Sequence, residues 1–369
     1  MICVLSAVLK SMKKSKISKN PGKKILITGN EAMGEAAARA GCQFYAGYPI
    51  TPQNELTAYM ASRMHQLQRP FVQAESELAA INMVFGAAAA GVRAMTSSSS
   101  PGISLKQEGI SYMAGAQLPA VLINVMRGGP GLGNIGSSQS DYFQSTRGGG
   151  HGDYFTPTLA PWSPQEAYML VGLAFDLADY YRNPILVLAD AIIGQMVEPV
   201  DFSLKMKFAK KLPPKSWALT GAKKRAPNIA KSFFLREGDL ALHNEVLRKK
   251  WEKIIRNEQR FDTHKSNDAK YLIIAYGSQA RIAREAVDYL RKDNIKAGLF
   301  RPISLWPYPK EGLEKYAKGV KEILVVEQSL GQMVEDVRLA LPTAKISFLG
   351  KAGGAIPATK EIVQFIKKL

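Results

Sequence analysis

Two carboxylates, Glu75 and Glu77, directly precede an alanine-rich apolar stretch, residues 78–90, that is predicted to form a helix. Acidic residues at a helix N-terminus ordinarily offset the helix dipole by about 0.3–1 kcal/mol, and the spacing alone indicates nothing more. The helix is so apolar, however, that we expect it to be buried. A carboxylate at its start would then need a partner or a raised pKa, which makes this pair a candidate for acid–base chemistry.

A threonine stands on a stiff turn directly after another predicted strand, residues 41–46. Prolines close to Thr51 on both sides, in the sequence Gly-Tyr-Pro-Ile-Thr-Pro, restrict the backbone of this turn. Ligands of open parallel sheets bind at the carboxyl ends of strands, so Thr51 is a candidate ligand-binding residue. An ordinary X-Pro turn explains the same residues equally well.

Four consecutive serines, residues 97–100, follow the predicted strand 93–96. Hydroxyls and backbone N–H groups in such a place could hold an anion. A flexible polar loop is the alternative. The Pro-Gly pair after the serines and the position behind a strand favour an ordered loop.

Arg127 stands at the end of a continuously apolar predicted strand, residues 120–125, and a glycine-rich segment follows it. Arginine suits bidentate capture of a carboxylate, and glycines let a ligand approach closely. A salt-bridged arginine in a glycine-rich loop is the alternative.

His151 and Asp153 lie in a second glycine-rich stretch. Without a nearby nucleophile they are weak support for a catalytic triad, and proton transfer by His151 is a hypothesis only.

These residues must be positioned by a framework of alternating strands and helices. Alternation from the predicted strand 24–28 onwards, through residues 23–200, predicts a doubly wound, mainly parallel α/β sheet. Residues 201–266 are predicted to be a basic connector with an amphipathic helix. Residues 267–369 return to strand–helix alternation and predict a smaller α/β domain. The apolar stripe of the amphipathic helix consists of Leu240, Leu247, Trp251 and Ile254.

The net charge of +18 is concentrated in two segments. Residues 1–24 carry seven lysines and no acidic residue, and residues 201–266 carry 17 basic and 7 acidic residues. The rest of the chain is nearly neutral. This distribution favours solvated surfaces, or docking of an acidic partner protein, over nucleic-acid binding, since no basic motif with interleaved aromatic residues accompanies it. Residues 1–22 are expected to be a disordered basic tail.

The chain has only two cysteines, Cys3 and Cys42. They exclude a disulfide framework, and they are too few for a cysteine-ligated iron–sulfur cluster, which needs about four thiolates. No run of 18 apolar residues predicts a membrane span. The opening segment has its charges after its short apolar stretch, unlike a secretory signal. A cytoplasmic location without a membrane partner is therefore expected.

Several motifs occur in a fixed order along the chain. They are GNEAMGEAA (29–37), AGYPITPQNE (46–55), QAESELAAINMVFGAAAAG (73–91), MTSSSSPGISLKQEGISY (95–112), NVMRGGPGLG (124–133), QSDYFQ (139–144), GGGHGDY (148–154), YGSQAR (276–281), RPISLWPYP (301–309), VVEQSLGQM (325–333) and GGAIP (353–357). Together they closely resemble the alpha-type subunit of 2-oxoacid:ferredoxin oxidoreductases. SSSSPGISLKQEGISY and GGPGLG are most similar to the branched-chain, 2-oxoisovalerate-type subunit, and 2-oxoglutarate-type subunits are the near alternative.

This resemblance implies a thiamine-diphosphate pyrimidine-binding domain in residues 23–200 and a transketolase C-terminal-like domain in residues 267–369. It implies that Glu77, with Glu75 as the fallback, hydrogen-bonds the aminopyrimidine ring and thereby promotes formation of the nucleophilic carbon of the cofactor. The further residues implied in cofactor binding are Tyr48, Pro49 and Ile50. The residues implied in substrate binding are Thr51, Arg127, Ser99 and Ser100. The implied reaction is oxidative decarboxylation of a 2-oxoacid to acyl-CoA and CO2 with reduction of ferredoxin.

The family's diphosphate–magnesium motif, Gly-Asp-Gly followed at a distance by Asn, has only a faint match here. That match is Gly238-Asp239 with Asn244, which lies in the predicted amphipathic helix. The resemblance therefore implies that diphosphate, Mg2+ and [4Fe-4S] clusters sit on partner chains. The expected partners are a diphosphate-binding beta subunit, a gamma subunit and a ferredoxin-like delta subunit, with ferredoxin, coenzyme A and the 2-oxoacid as reactants.

Three other functions remain as alternatives. The chain could be a non-catalytic assembly subunit of the same complex. It could be a thiamine enzyme of the transketolase or dehydrogenase type, although the YPITP and GGPGLG motifs are not typical of those enzymes. A nucleic-acid-binding protein is the third alternative and rests on net charge alone.

Overall fold

The computed structural model describes residues 24–206 and 208–369, so the tail predicted for residues 1–22 lies outside the described residues. The strands are β1 (Lys24–Thr28), β2 (Phe44–Gly47), β3 (Phe71–Gln73), β4 (Ala94–Ser98), β5 (Ala120–Met126), β6 (Thr158–Leu159), β7 (Pro184–Asp190), β8 (Val197–Asp201), β9 (Phe261–His264), β10 (Tyr271–Ile274), β11 (Ala297–Pro302), β12 (Ser304–Trp306), β13 (Glu322–Glu327) and β14 (Ile346–Gly350). The helices are α1 (Gly29–Arg39), α2 (Asn54–Gln66), α3 (Glu77–Ala89), α4 (Ser100–Gly115), α5 (Tyr142–Thr146), α6 (Pro164–Tyr181), α7 (Ala191–Gln195), α8 (Asp239–Asn257), α9 (Gly277–Lys292), α10 (Lys310–Ala317), α11 (Met333–Ala340) and α12 (Thr359–Lys367). None of the helices in this described part is both long and apolar enough to cross a membrane.

The larger sheet has seven strands in the order β12-β6-β7-β5-β4-β2-β3. All neighbours pair in parallel except β12 and β6. Strands β5 and β7 are buried along their whole length, which is typical of parallel strands covered on both faces. The carboxyl ends of β2, β4 and β5 lead into the turn with Thr51, the serine run and Arg127. The sheet therefore gathers the predicted binding segments at the edge where open parallel sheets bind ligands.

The smaller sheet has five strands in the order β14-β13-β10-β11-β9, and only the edge strand β9 runs antiparallel to its neighbour. Buried side chains of α9 and α12 form a hydrophobic core on one of its faces. Side chains from the other face join the core of the larger sheet. The two sheets confirm the predicted α/β class, a mainly parallel sheet accompanied by a smaller α/β unit.

Strand pairing departs from the sequence-based expectation at three strands. β1 was expected to begin the parallel sheet, but it pairs antiparallel with β8 in a separate two-stranded sheet. Its residues are only partly buried, with Leu26 exposed, so it does not suit a strand covered on both faces. β12 leaves residues 267–369 to pair with β6, and β9 lies in the predicted connector but completes the smaller sheet. The division of the chain into domains stays a prediction, and strand pairing crosses its boundary at residue 266.

The amphipathic helix of the connector is α8, and three of its four predicted stripe residues are buried. Leu247, Trp251 and Ile254 lie in the main core, and the Trp251 ring meets Phe155 edge-on at 5.4 Å between centroids. Leu240 is exposed, because it belongs to the first turn, ahead of the part of α8 that packs against the core. The stripe therefore attaches the connector to the rest of the chain.

A buried polar network, which we call the seam, joins the two sheets. Gln139 donates from Nε2 to the Tyr276 carbonyl oxygen at 2.9 Å and accepts from the Gln328 backbone N–H at 3.0 Å. The Asp190 carboxylate accepts from the Ser278 backbone N–H at 2.8 Å, and Gln328 Nε2 donates to the Ser278 hydroxyl at 2.8 Å. The motifs QSDYFQ, YGSQAR and VVEQSLGQM thus meet in this network and hold the two sheets together.

Candidate active site

Glu77 is the first residue of α3, and Ser76 caps the helix: its hydroxyl accepts a hydrogen bond from the Ala79 backbone N–H at 3.1 Å. Glu77 is only 5% exposed, and within residues 24–206 and 208–369 no hydrogen bond reaches its carboxylate oxygens. Glu75, by contrast, is exposed. A buried carboxylate without a partner is costly, so Glu77 rather than Glu75 is the stronger candidate for contact with a ligand.

Gly102, in the first turn of α4, makes room for this carboxylate. A Cβ atom added to Gly102 would overlap the Glu77 carboxylate and the Ser98 hydroxyl. Only glycine therefore lets the glutamate lie between the starts of α3 and α4. The glycine of the Pro-Gly pair after the serine run is therefore required sterically, and the pair lies in the first turn of a helix rather than in a flexible loop.

The serine hydroxyls at the end of β4 divide into two kinds. Ser98 and Ser99 are buried, and in the described part of the chain their hydroxyls have no hydrogen-bond partner. The Ser100 hydroxyl instead donates to Asp141 Oδ2 at 2.6 Å and accepts from the Arg127 backbone N–H at 3.0 Å. Burial raises the pKa of Asp141, and the hydrogen bond from Ser100 opposes that shift. Ser99 is thus available to a ligand, whereas Ser100 ties α4 to the segment after β5.

Arg127 and Thr51 lie in contact, and this contact runs through the Thr51 backbone. Arg127 donates from Nη1 to the Thr51 carbonyl oxygen and from Nη2 to the Leu132 carbonyl oxygen, each at 3.0 Å. Its Nε is buried and has no partner among the described residues. The Thr51 hydroxyl accepts from Asn54 Nδ2 at 3.1 Å. A ligand could therefore use Arg127 Nε and the hydrogen of the Thr51 hydroxyl without breaking these contacts.

Tyr48, Pro49 and Ile50 form the turn that precedes Thr51. The first two are exposed and Ile50 is partly exposed, so the turn lies on the rim of the site. Asn30, at the start of α1, supports it by donating from Nδ2 to the Pro52 carbonyl oxygen at 2.8 Å. Contact of Tyr48, Pro49 and Ile50 with a cofactor stays a prediction.

Lys106 was not among the residues predicted from the sequence. It is fully buried on α4, one turn after Gly102, and its ammonium group donates to the Glu77 carbonyl oxygen at 3.2 Å. Burial lowers the pKa of Lys106 to about 8, and the negative charge of Glu77 opposes that shift. A signal was present: Gly102, Lys106 and Ile110 recur at a spacing of four, which places the lysine on the apolar face of a predictable helix.

His151 is not brought to Glu77. It is exposed, its carbonyl oxygen accepts from the Ser111 hydroxyl at 2.8 Å, and its ring meets the edge of Tyr112 at 6.5 Å between centroids. Ser111 and Tyr112 belong to the outward side of α4, whereas Glu77 contacts its buried side. Proton transfer by His151 stays a hypothesis and gains no support from this geometry.

The expectation that α3 is buried throughout is wrong for this chain. Only one side of the helix packs against α4 and the sheet, because nothing in the described chain covers its other side. The apolar side chains exposed on α3, α4 and the glycine-rich loop after β5 are Leu78, Met83, Leu105, Tyr112, Leu132 and Ile135. We call this surface the apolar rim. It lies next to Glu77, since Leu78 follows the glutamate directly.

The described chain offers little for a metal ion. Within residues 24–206 and 208–369, no group of three or more His, Cys, Asp and Glu side chains is arranged to hold one. Asp239 and Asn244 lie in regular helix on α8, so their spacing does not form a metal-binding turn. Burial raises the pKa of Cys42 to about 12, which keeps it a thiol. The site beside Glu77 is instead built from a carboxylate, hydroxyls and an ammonium group, which suit an organic ligand.

Comparison with known proteins gives matches along most of the chain. Residues 35–258 match the family model "Pyruvate flavodoxin/ferredoxin oxidoreductase, thiamine diP-bdg", and residues 269–362 match "Pyruvate:ferredoxin oxidoreductase core domain II". The chain is 47% identical over 345 residues to ketoisovalerate oxidoreductase subunit VorB of Methanothermobacter marburgensis, covering 93% of this chain and 97% of that protein. It is 35% identical over 369 residues to 2-oxoglutarate synthase subunit KorA of Methanothermobacter thermautotrophicus, covering 93% and 98%.

A solved structure shares the fold. The 2-oxoglutarate:ferredoxin oxidoreductase from Magnetococcus marinus, with 2-oxoglutarate, coenzyme A and succinyl-CoA bound, superposes with a TM-score of 0.85 and 24% sequence identity. The match covers 98% of this chain and 69% of that chain. Its extent shows that both sheets and the connector follow one known arrangement.

Proposed function

The chain belongs to the 2-oxoacid:ferredoxin oxidoreductase family, and we propose that it contributes the pyrimidine half of a thiamine-diphosphate site shared with a partner subunit. The observation that carries this proposal is the Glu77 carboxylate, which is buried at the start of α3 without a hydrogen-bond partner in the described chain. A folded protein tolerates such a group where a ligand completes its hydrogen bonding. The family model matched by residues 35–258 is described as thiamine-diphosphate-binding, which supports thiamine diphosphate as that ligand.

The residues at this site fit an aminopyrimidine ring. Glu77 can exchange a proton with a ring nitrogen, while the unpartnered hydroxyls of Ser98 and Ser99 can bond further polar atoms of a ligand. Gly102 keeps the space at the carboxylate open. When bound, thiamine diphosphate supplies the nucleophilic carbon that attacks the 2-oxoacid. Glu77 acts as the acid–base group, through a charge-assisted hydrogen bond that contributes about 1.5–3 kcal/mol.

We assign the rest of the cofactor to partner chains. The apolar rim next to Glu77 supports this assignment, because a surface of that composition is typical of contact with another protein. The described chain also lacks a set of metal ligands. We therefore place the diphosphate and Mg2+ on a beta subunit and the [4Fe-4S] clusters on partners such as a ferredoxin-like delta subunit, with a gamma subunit completing the complex.

We propose a branched-chain 2-oxoacid as the preferred substrate. The identity to a ketoisovalerate oxidoreductase subunit, 47%, exceeds the identity to a 2-oxoglutarate synthase subunit, 35%. The unpartnered Arg127 Nε and the Thr51 hydroxyl could bind the substrate carboxylate and keto group, and the Ser99 hydroxyl, also without a partner in the described chain, could join them. Coenzyme A would take the acyl group and ferredoxin the electrons.

The proposal is tested with the complex co-purified with its partner subunits. Glu77→Gln should lower turnover of the 2-oxoacid at least 100-fold and weaken thiamine-diphosphate binding, because the proton exchange with the ring is lost. Glu75→Gln is the matched control, since Glu75 is exposed and two residues away. Equal and full turnover in both variants would show that the chain is a non-catalytic assembly subunit.

Substrate preference is tested separately with a panel of 2-oxoacids and a low-potential dye as electron acceptor. The highest kcat/KM is expected for 2-oxoisovalerate. Faster turnover of 2-oxoglutarate would reassign the chain to the 2-oxoglutarate type without affecting the role of Glu77. Activity with lipoamide but not with ferredoxin would instead favour a dehydrogenase-type thiamine enzyme.

A further inference from the structure

Lys106 is a fully buried cation that lies against the candidate catalytic glutamate. Its ammonium group donates to the Glu77 backbone carbonyl oxygen at 3.2 Å, and no other hydrogen bond of this group is found within residues 24–206 and 208–369. An ammonium group has three N–H donors, so two of them have no acceptor in the described chain. The lysine and the Glu77 carboxylate are thus two neighbouring ionisable groups whose hydrogen bonding the described chain does not complete.

Packing does not account for a lysine at this position. The flanking buried positions on the same face of α4 are Gly102, Ile103 and Ile110, and an apolar side chain such as methionine would fill the same space. Removing an ammonium group from water is costly unless it is paired and fully hydrogen-bonded. A lysine kept here against that cost points to a task that needs its charge.

We propose that Lys106 is a positioning residue whose charge, held next to Glu77 by the hydrogen bond to the Glu77 carbonyl oxygen, stabilises the contact of the Glu77 carboxylate with the aminopyrimidine ring. This inference rests on the function proposed above. A buried carboxylate is costly unless an opposite charge or a hydrogen bond compensates it. The lysine charge supplies part of that compensation, and the Glu77 carboxylate can then form a charge-assisted hydrogen bond to the ring, which is about twice as strong as a neutral one.

The charged groups around this pair lie on α3, on α4 and after β5. On α3, the negative charge of Glu77 opposes the lowering of the Lys106 pKa by burial. After β5, the carboxylate of Asp141 is bound to α4 through Ser100 and also accepts a hydrogen bond from Asn124. Burial lowers the pKa of Lys106 to about 8, so the lysine is charged at neutral pH and loses its charge in alkaline solution.

The test replaces Lys106 by methionine, which keeps the length of the side chain and removes its charge. In the co-purified complex stripped of cofactor, Lys106→Met should raise the Kd for thiamine diphosphate roughly tenfold, as expected when a charge-assisted hydrogen bond to the cofactor is weakened. The kcat for the 2-oxoacid should fall at least tenfold, and KM should change little. The melting temperature of the complex should not fall, because the variant loses a buried charge.

Lys250→Met is the matched control. Lys250, on α8, also donates to a backbone carbonyl oxygen, that of Arg182, at 3.2 Å, and burial lowers its pKa to about 7. It belongs to the connector rather than to the site. We expect its replacement to leave the Kd for thiamine diphosphate and kcat within twofold of the wild-type values.

A double-mutant cycle separates action through Glu77 from a general structural effect. In the Glu77→Gln background the residue at position 77 cannot ionise, so adding Lys106→Met should change the Kd for thiamine diphosphate by less than twofold. Additive effects of the two replacements would overturn the inference, as would a Lys106→Met variant that matches Lys250→Met in Kd and kcat. Failure of the proposed function would be distinguishable from failure of this inference, because Glu77→Gln would then alter neither cofactor binding nor turnover.

Discussion

The seam between the two sheets and the site beside Glu77 are both buried and polar, yet they differ in how their polar atoms are used. In the seam, Asp190 accepts from two backbone N–H groups, those of Ser278 at 2.8 Å and Ile193 at 3.1 Å, and Gln139 both donates and accepts. Of the five seam residues, only Gln328 keeps an unpartnered buried side-chain atom within the described chain, its amide oxygen.

In the site beside Glu77, by contrast, several buried polar groups lack hydrogen-bond partners. Within residues 24–206 and 208–369, the Glu77 carboxylate receives no hydrogen bond, and the hydroxyls of Ser98 and Ser99 and the Nε of Arg127 have no partner. Polar groups that satisfy each other stabilise a fold, whereas buried polar groups left unsatisfied at a sheet edge indicate a place where a ligand binds. The contrast therefore separates residues that hold the chain together from residues that act on something else.

The largest effect on stability is expected in the seam. Asp190→Ala removes the acceptor of two backbone N–H groups and should lower the free energy of unfolding by about 3–5 kcal/mol. Chemical denaturation of the purified chain would measure it. Asp153→Ala, at an exposed position, is the control and should change stability by less than about 0.5 kcal/mol. Equal stability of the two variants would remove the distinction between the seam and the surface.

A substitution at Gly102 should affect ligand binding more than stability. Gly102→Ala places a methyl group against the Glu77 carboxylate and the Ser98 hydroxyl, so the Kd for thiamine diphosphate in the complex should rise about 10- to 100-fold. Alanine is also about 1 kcal/mol more favourable than glycine in a helix. This gain offsets part of the steric strain, so the free energy of unfolding should change less than the Kd. Calorimetric titration with the cofactor would test this. Gly86→Ala, in open space on α3, is the matched control.

Lys106→Met should stabilise the chain in a pH-dependent way. The pKa of Lys106 is lowered from 10.5 to about 8 in the fold, so its charge destabilises the folded state fully below pH 8, and this destabilisation disappears as pH rises towards 10.5. We expect the free energy of unfolding of the variant to exceed that of the wild type by roughly 1–3 kcal/mol at pH 7. Near pH 10.5 the two free energies should differ little. A variant that is less stable than the wild type at pH 7 would show that the lysine is a structural residue.

The smallest effects compare one serine from each region. Ser278→Ala removes the acceptor of Gln328 Nε2 and should lower stability by about 1 kcal/mol. Ser99→Ala removes a hydroxyl that has no partner in the described chain and should stay within about 0.5 kcal/mol of the wild type. The KM for the 2-oxoacid should respond only to Ser99→Ala. Equal losses of stability in Ser278→Ala and Ser99→Ala would contradict the distinction between the seam and the site.

Sequence patterns anticipated the framework because local signals determine it. Apolar strands such as residues 120–125 and the alanine-rich helix after Glu77 are recognisable from composition alone. The pairings of β1, β9 and β12 were not anticipated, since strand neighbours depend on contacts distant in the sequence. The resemblance to a family selected Glu77 over Glu75, and the structure agrees that Glu77 is the buried residue of the two.

Lys106 and Gly102 show what motif comparison alone leaves unnoticed. Both stand in the stretch MTSSSSPGISLKQEGISY, but neither was predicted to be a site residue. Their spacing of four places them on one face of a helix, whereas their position against Glu77 depends on where α4 meets α3, which is a tertiary contact. For Arg127 the reverse holds: the sequence predicted a ligand-binding group, and the structure shows two of its nitrogens already bonded to the carbonyl oxygens of Thr51 and Leu132.

Because β12 belongs to the second half of the chain but pairs with a strand of the first half, it limits how the gene could be split into two. The strand is encoded beyond residue 300 but pairs with β6 of the larger sheet, and the Ala160 backbone N–H donates to the Ile303 carbonyl oxygen at 2.8 Å. A protein ending near residue 266 would leave the margin of β6 open to pairing with other chains, a recognised cause of aggregation. Evolutionary fission between the two halves would therefore require both fragments to be made together and to reassemble through this strand.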